Sequence, residues 1–71
     1  MTTQTLALEL HDLYRGHKIH VWLEGDSKRR WCFTIDGKQL TLSETFAPSI
    51  TKGLRDGRSA ARMEIDLRQA R

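Results

Sequence analysis

Residues 18–42 read KIHVWLEGDSKRRWCFTIDGKQLTL, and the turn signals inside this stretch decide how the chain folds. Asp36-Gly37 is the strongest of them, because a two-residue type I′ turn needs positive φ at both central positions and these residue types accept it. Before it, Lys18 to Glu24 alternates, with Ile19, Val21 and Leu23 on one side and Lys18, His20 and Trp22 on the other. Gly25-Asp26-Ser27 reads as a second turn, Arg30 to Asp36 as another strand, and Lys38 to Leu42 as the strand after it.

Pairing these strands tests the reading. A loop at Asp26 to Lys28 sets Leu23 opposite Trp31, Val21 opposite Phe33 and Ile19 opposite Ile35. A tight turn at Asp36-Gly37 sets Phe33 opposite Leu40 and Trp31 opposite Leu42. Both registers gather apolar residues on one face, and a slip of one residue in either hairpin would scatter them. Phe33 is expected at the centre of this face. The other face collects Lys18, His20, Trp22, Arg30, Cys32, Thr34, Gln39 and Thr41, with Trp22–Cys32–Thr41 as one row.

Upstream, Leu6, Leu8 and Leu10 alternate with Ala7 and Glu9, which suggests a first strand. The stretch Asp12 to Gly16 reads as a loop. Downstream the period changes. Pro48 suits a first helical turn, and Ile50, Leu54, Gly57, Ala61 and Ile65 recur at spacings of three and four. Gly53, Gly57 and Ala61 form a small-residue stripe that lets such a helix approach large side chains. Each helical glycine costs ~1 kcal/mol relative to alanine, so a break near Asp56-Gly57 is the alternative to one continuous helix. The expected fold is a single α+β domain over residues 1–71: a four-stranded antiparallel meander with one C-terminal helix on one face.

A chain of 71 residues has room for one domain only. So short a chain buries ~60% of its unfolded surface, and self-association is a natural way to enlarge its core. One cysteine excludes an internal disulfide. That favours a reducing compartment, and the MTTQTLALEL start lacks the basic region and cleavage site of a signal peptide. No apolar run reaches the ~20 residues of a membrane span. The expectation is a cytoplasmic protein.

The net charge is +3, and all the excess lies late in the chain: residues 1–47 carry six cations and six anions, residues 48–71 six cations and three anions. Lys28-Arg29-Arg30 flanks a hairpin tip, where charge keeps a turn soluble, and Arg30 falls near Glu24. Glu64 and Arg68 pair i, i+4, whereas Arg58 and Arg62 are like charges at that spacing with no such account. A weak nucleic-acid binder would use Lys28, Arg29, Arg30, Arg58 and Arg62 against phosphates, but of the aromatics only Trp22 falls on the open sheet face where bases would stack.

Chemistry has little to work with. Cys32 lies across from Trp22 with His20 diagonal to it, yet nothing nearby resembles an oxyanion hole. His11, His17 and His20 invite a metal reading with Cys32, but His17 and His20, three apart in or beside a strand, tend to opposite faces. A zinc site wants four converging ligands, so solvated or satisfied histidines are expected. The glycines match no phosphate-binding loop, and no carboxylate pair is poised for acid–base work. No catalytic residue, cofactor or metal is expected.

Taken together, Tyr14-Arg-Gly-His-Lys-Ile-His-Val21, Trp31 to Gly37 and a helix ending Ile65-Asp66-Leu67 resemble small uncharacterised proteins of Gram-negative, Burkholderia-like bacteria. The resemblance covers residues 14–67 and implies a sheet-plus-helix fold. Three or four strands capped by one helix are also similar to double-stranded-RNA-binding domains and small antitoxin domains, whose signature residues have no counterpart here. The sequence reading is a non-catalytic module for a protein partner or a second copy. Its expected interface is His20, Trp22, Cys32, Thr34 and Thr41, because an aromatic amid polar residues on an open sheet face suits an interface core.

Overall fold

The structure is a computed structural model that describes residues 8–24, 30–43 and 46–70. Leu6, the Gly25 to Ser27 turn, Lys28 and Arg29 lie outside the described residues. Four antiparallel strands, β1 (Glu9–Tyr14), β2 (His17–Glu24), β3 (Arg30–Ile35) and β4 (Lys38–Leu42), form one sheet in sequence order. Helix α1 (Ile50–Gln69) packs across β1, β2 and β3. No helix among the described residues is long and apolar enough to cross a membrane.

The β2–β3 register is the expected one, with Ile19 opposite Ile35, Val21 opposite Phe33 and Leu23 opposite Trp31. These residues meet Leu54, Ala61 and Ile65 of the helix in one core. Phe33 belongs to that core, but its centre is Ile19, Val21 and Ile65, the largest fully buried side chains of the cluster.

Two expectations are corrected. Residues 12–16 are not a loop. Arg15 and Gly16 take φ of 51° and 81°, closing a two-residue hairpin in which Tyr14 faces His17. Asp12 thus becomes an inward strand position, and its charge is what disguised the strand. The carboxylate meets Arg62 Nη2 at 2.8 Å and Nε at 2.9 Å, and the guanidinium covers the Tyr14 ring at 4.9 Å.

The second correction concerns β4. Asp36 and Gly37 do form the tight turn, with φ of 56° and 71°. However, Gln39 also takes positive φ, 30°, and a bulge follows: Ile35 still faces Lys38, but Phe33 faces Thr41 and Cys32 faces Leu42. One extra residue reverses the faces of everything after it. Burial fixes register only where a face is covered, and the helix stops short of β4, whose five residues are all exposed.

The helix runs unbroken through both glycines. Ser49 caps it, its hydroxyl accepting from the Lys52 N–H at 3.1 Å. Lys52–Asp56 and Glu64–Arg68 line its outside as i, i+4 ion pairs. Its far end is tied to the first hairpin, where the Tyr14 hydroxyl donates to Asp66 at 3.0 Å and Arg15 Nη1 donates to Gln69 at 3.0 Å.

Of these ties, Asp12–Arg62 is the one shielded enough to register in stability. Asp12→Ala and Arg62→Ala should each cost about 1 kcal/mol and couple by a similar amount, because a charge-assisted bond at a half-covered site outweighs an open surface pair. Urea midpoints of the two single variants and the double variant measure that coupling. Strict additivity would show that the pair contributes nothing.

Candidate functional site

Period-two geometry gives the sheet's outer face Glu9, His11 and Leu13 from β1, Lys18, His20, Trp22 and Glu24 from β2, Arg30, Cys32 and Thr34 from β3, and Leu40 and Leu42 from β4. Of the expected interface, His20, Trp22 and Thr34 are on this face and half-buried. Thr41 is not: the bulge turns it to the helix side, and the row it was to complete is Glu9–Trp22–Cys32–Leu42.

Cys32 takes its place in that row but is fully buried between Trp22 and Leu42, so it offers no surface to a partner. Its Sγ donates to the Trp22 carbonyl at 3.6 Å. Burial pushes the thiol up to about 11, the Glu24 charge adding to the rise and Arg30 opposing it. It is therefore protonated and unreactive at neutral pH. Trp22 is pinned in turn: its indole N–H donates to Glu24 at 2.8 Å, and its ring leans on His20 with centroids 4.7 Å apart.

The cations considered for nucleic acid are dispersed. Arg30 on the outer face donates through Nε and Nη2 to the Ser43 carbonyl, at 3.1 and 2.9 Å. Arg58 and Arg62 belong to the helix on the opposite side of the sheet, and Arg62 is held by Asp12 and Tyr14. Arg62 of the like-charged pair thus has a structural account. At the β3–β4 turn, Asp36 accepts from His17 Nδ1 at 2.7 Å and from the Lys18 N–H at 2.9 Å. These bonds, the His17 one first, hold its carboxyl below the usual carboxylate range and clamp the turn to β2.

Among the described residues, exposed apolar side chains gather at β4, besides Leu13 on the outer face of β1. Leu40 and Leu42 are 58% and 41% exposed on the outer face. On the helix side, the gap between β4 and α1 is an open groove of about 260 Å³ lined by Trp31, Phe33, Thr41, Ala60, Met63 and Leu67, with Glu64 at its margin. Met63 and Leu67 are themselves exposed. Apolar surface therefore flanks one sheet edge on both faces.

A second grouping lies toward the other edge. Glu9 and His11 of β1 and His20 of β2 bring one ligand-type atom each within 4.8 Å of the others. The sequence reading weighed His11 and His20 as ligands only together with His17 and Cys32, and it left out Glu9 because it ended the first strand at Leu10. The recoverable signal was Glu-x-His on a strand beside a histidine on its neighbour. No family model, no curated protein and no solved structure matches this chain.

Proposed function

We propose that this protein is a non-catalytic self-association module whose contact is the β4 edge, giving a homodimer with one continuous eight-stranded sheet. The observation that carries this reading is the bulge-displaced pair Leu40 and Leu42 on an edge strand whose opposite flank is an apolar groove.

The two edges differ in how they are guarded. Natural edge strands resist pairing through charge, proline or inward-pointing charged residues. β1 carries Glu9 and an inward Asp12, whereas β4, KQLTL, carries a single Lys38 at its start. β4 is the edge left open.

A second copy is the occupant that suits it. Antiparallel edges related by a twofold axis meet their own image, so an isologous contact needs a patch that matches itself. Here the leucines of one copy meet those of the other on the outer face. Met63 and Leu67 approach their counterparts across the grooves. Both contacts are apolar on apolar. A 71-residue domain with a thin core gains most from such a supplement.

Sedimentation equilibrium on the tag-free chain tests the reading. The wild type should show a concentration-dependent dimer. Leu42→Lys should weaken it roughly tenfold or more, equivalent to about 1.4 kcal/mol, with an unchanged far-ultraviolet spectrum because the site is solvent-facing. A wild type that is monomeric at every concentration sinks the proposal. Association abolished by Trp22→Ser but untouched by Leu42→Lys would move the contact to the centre of the outer face.

A further inference from the structure

We propose that Glu9, His11 and His20 form a binding site for a divalent transition-metal ion of the zinc class, with three protein ligands and a coordination position open to solvent. The sheet register builds it. Glu9 and His11 alternate onto the same face of β1, and His11 lies directly opposite His20 on β2. The imidazoles stack with centroids 4.3 Å apart and planes 7° from parallel. The Glu9 carboxylate reaches both, with Oε1 3.1 Å from His11 Nε2 and Oε2 3.9 Å from His20 Nε2.

One atom separates this cluster from an ordinary surface ion pair. Glu9 and His11 are hydrogen-bonded to each other, but His20 Nε2 is shut off from solvent and has no hydrogen-bond partner among the described residues. A sheltered polar atom without a partner is uncommon and calls for an explanation such as an ion. Its neighbour at 3.9 Å is the Oε2 of the Glu9 carboxylate that a shared cation would use. An ion bound by both imidazoles and the carboxylate satisfies all three residues together.

The donor set and spacing suit the class. Two imidazoles and one carboxylate favour zinc-like ions over calcium or magnesium, which prefer all-oxygen shells. Ligands ~2.1 Å from a tetrahedral centre stand about 3.4 Å apart. The separations of 3.1 and 3.9 Å, one to each Glu9 oxygen, lie either side of that value, and the three ligand atoms all fall within 4.8 Å of one another. A shared ion requires the parallel rings to rotate toward a common centre. Trp22, packed on His20, walls the site on one side. The site lies toward the β1 edge and does not depend on association through β4.

Isothermal titration of the tag-free chain with zinc chloride in a non-coordinating buffer provides the test, together with histidine side-chain NMR. One equivalent should bind per chain, moving the ring signals of His11 and His20 while His17, bonded to Asp36, stays in place. His20→Gln, His11→Gln and Glu9→Gln should each lower affinity roughly tenfold or more, and His17→Gln should not. His11 and Glu9 are exposed, so their variants keep the fold even if His20→Gln does not. No binding by the wild type, a shift of His17 in place of the pair, or undiminished affinity in His11→Gln overturns the assignment.

Discussion

Phe33→Ala is expected to lower the free energy of unfolding by about 3–5 kcal/mol, the largest effect of any single substitution considered for this chain. Phe33 is buried on the middle of β3, with Val21 opposite it and the Trp31 ring stacked 5.8 Å away. The truncation removes a ring from under the helix, and the well-packed neighbours on β2 cannot collapse into the space. Because Phe33 also borders the open groove, water can enter part of the void, and the cost should fall near the low end of the range. A domain of this size has roughly 4–10 kcal/mol in all, so a visible fraction of the variant should be unfolded at 37 °C. An unchanged urea midpoint would mean that the helix does not cover this face.

The second large effect separates two glycines that look equivalent in sequence. A Cβ placed on Gly57 would stand 2.5 Å from Val21 Cγ1 and 3.2 Å from Trp31 Cβ. Val21 is fully buried on a central strand and cannot withdraw. Overpacking of this kind typically costs 1–3 kcal/mol, against a gain of ~1 kcal/mol from replacing a helical glycine. Gly57→Ala should thus destabilise by up to about 2 kcal/mol. At Gly53 the nearest atom is Leu23 Cδ2, 2.9 Å away at the end of a side chain that can rotate. Gly53→Ala should be near neutral, the two terms cancelling. Thermal or urea unfolding of both variants decides the matter, and equal midpoints would show that the helix does not sit closely on Val21.

What the sequence reveals follows from where burial constrains it. The β2–β3 pairing and the helix stripe were legible because both elements face a covered core, so a wrong register leaves Ile19, Val21 or Phe33 in water. The two tight turns are equivalent in conformation, yet only Asp36-Gly37 stands out. Arg15 at φ 51° carries no such signature. Asp12 hid the first strand because its partner, Arg62, is fifty residues away. The bulge at Gln39 left no trace at all: glutamine does not advertise a positive φ, and over β4 there is no buried face to penalise the shift.

The candidate sites inherit these gaps. Trp22 and His20 were placed on the right face, whereas Thr41 was not, since its side is decided by one unpaired residue two positions earlier. The Glu9–His11–His20 cluster depends on β1 being in register to Tyr14, and that register was the part of the sheet least marked in the chain.

That lone extra residue in the arm after Gly37 also says something about how such a protein can change over generations. Were the same arm to pair without the bulge, Leu40 would meet Phe33 and Leu42 would meet Trp31 on the helix side, where they would sit over the groove and complete the molecule's own interior. Keeping the bulge turns the same two leucines toward whatever lies outside. The three strands beneath the helix are untouched either way. A substitution that bars position 39 from positive φ would therefore suffice to move a lineage between a self-sufficient chain and one that needs company, with no residue gained or lost.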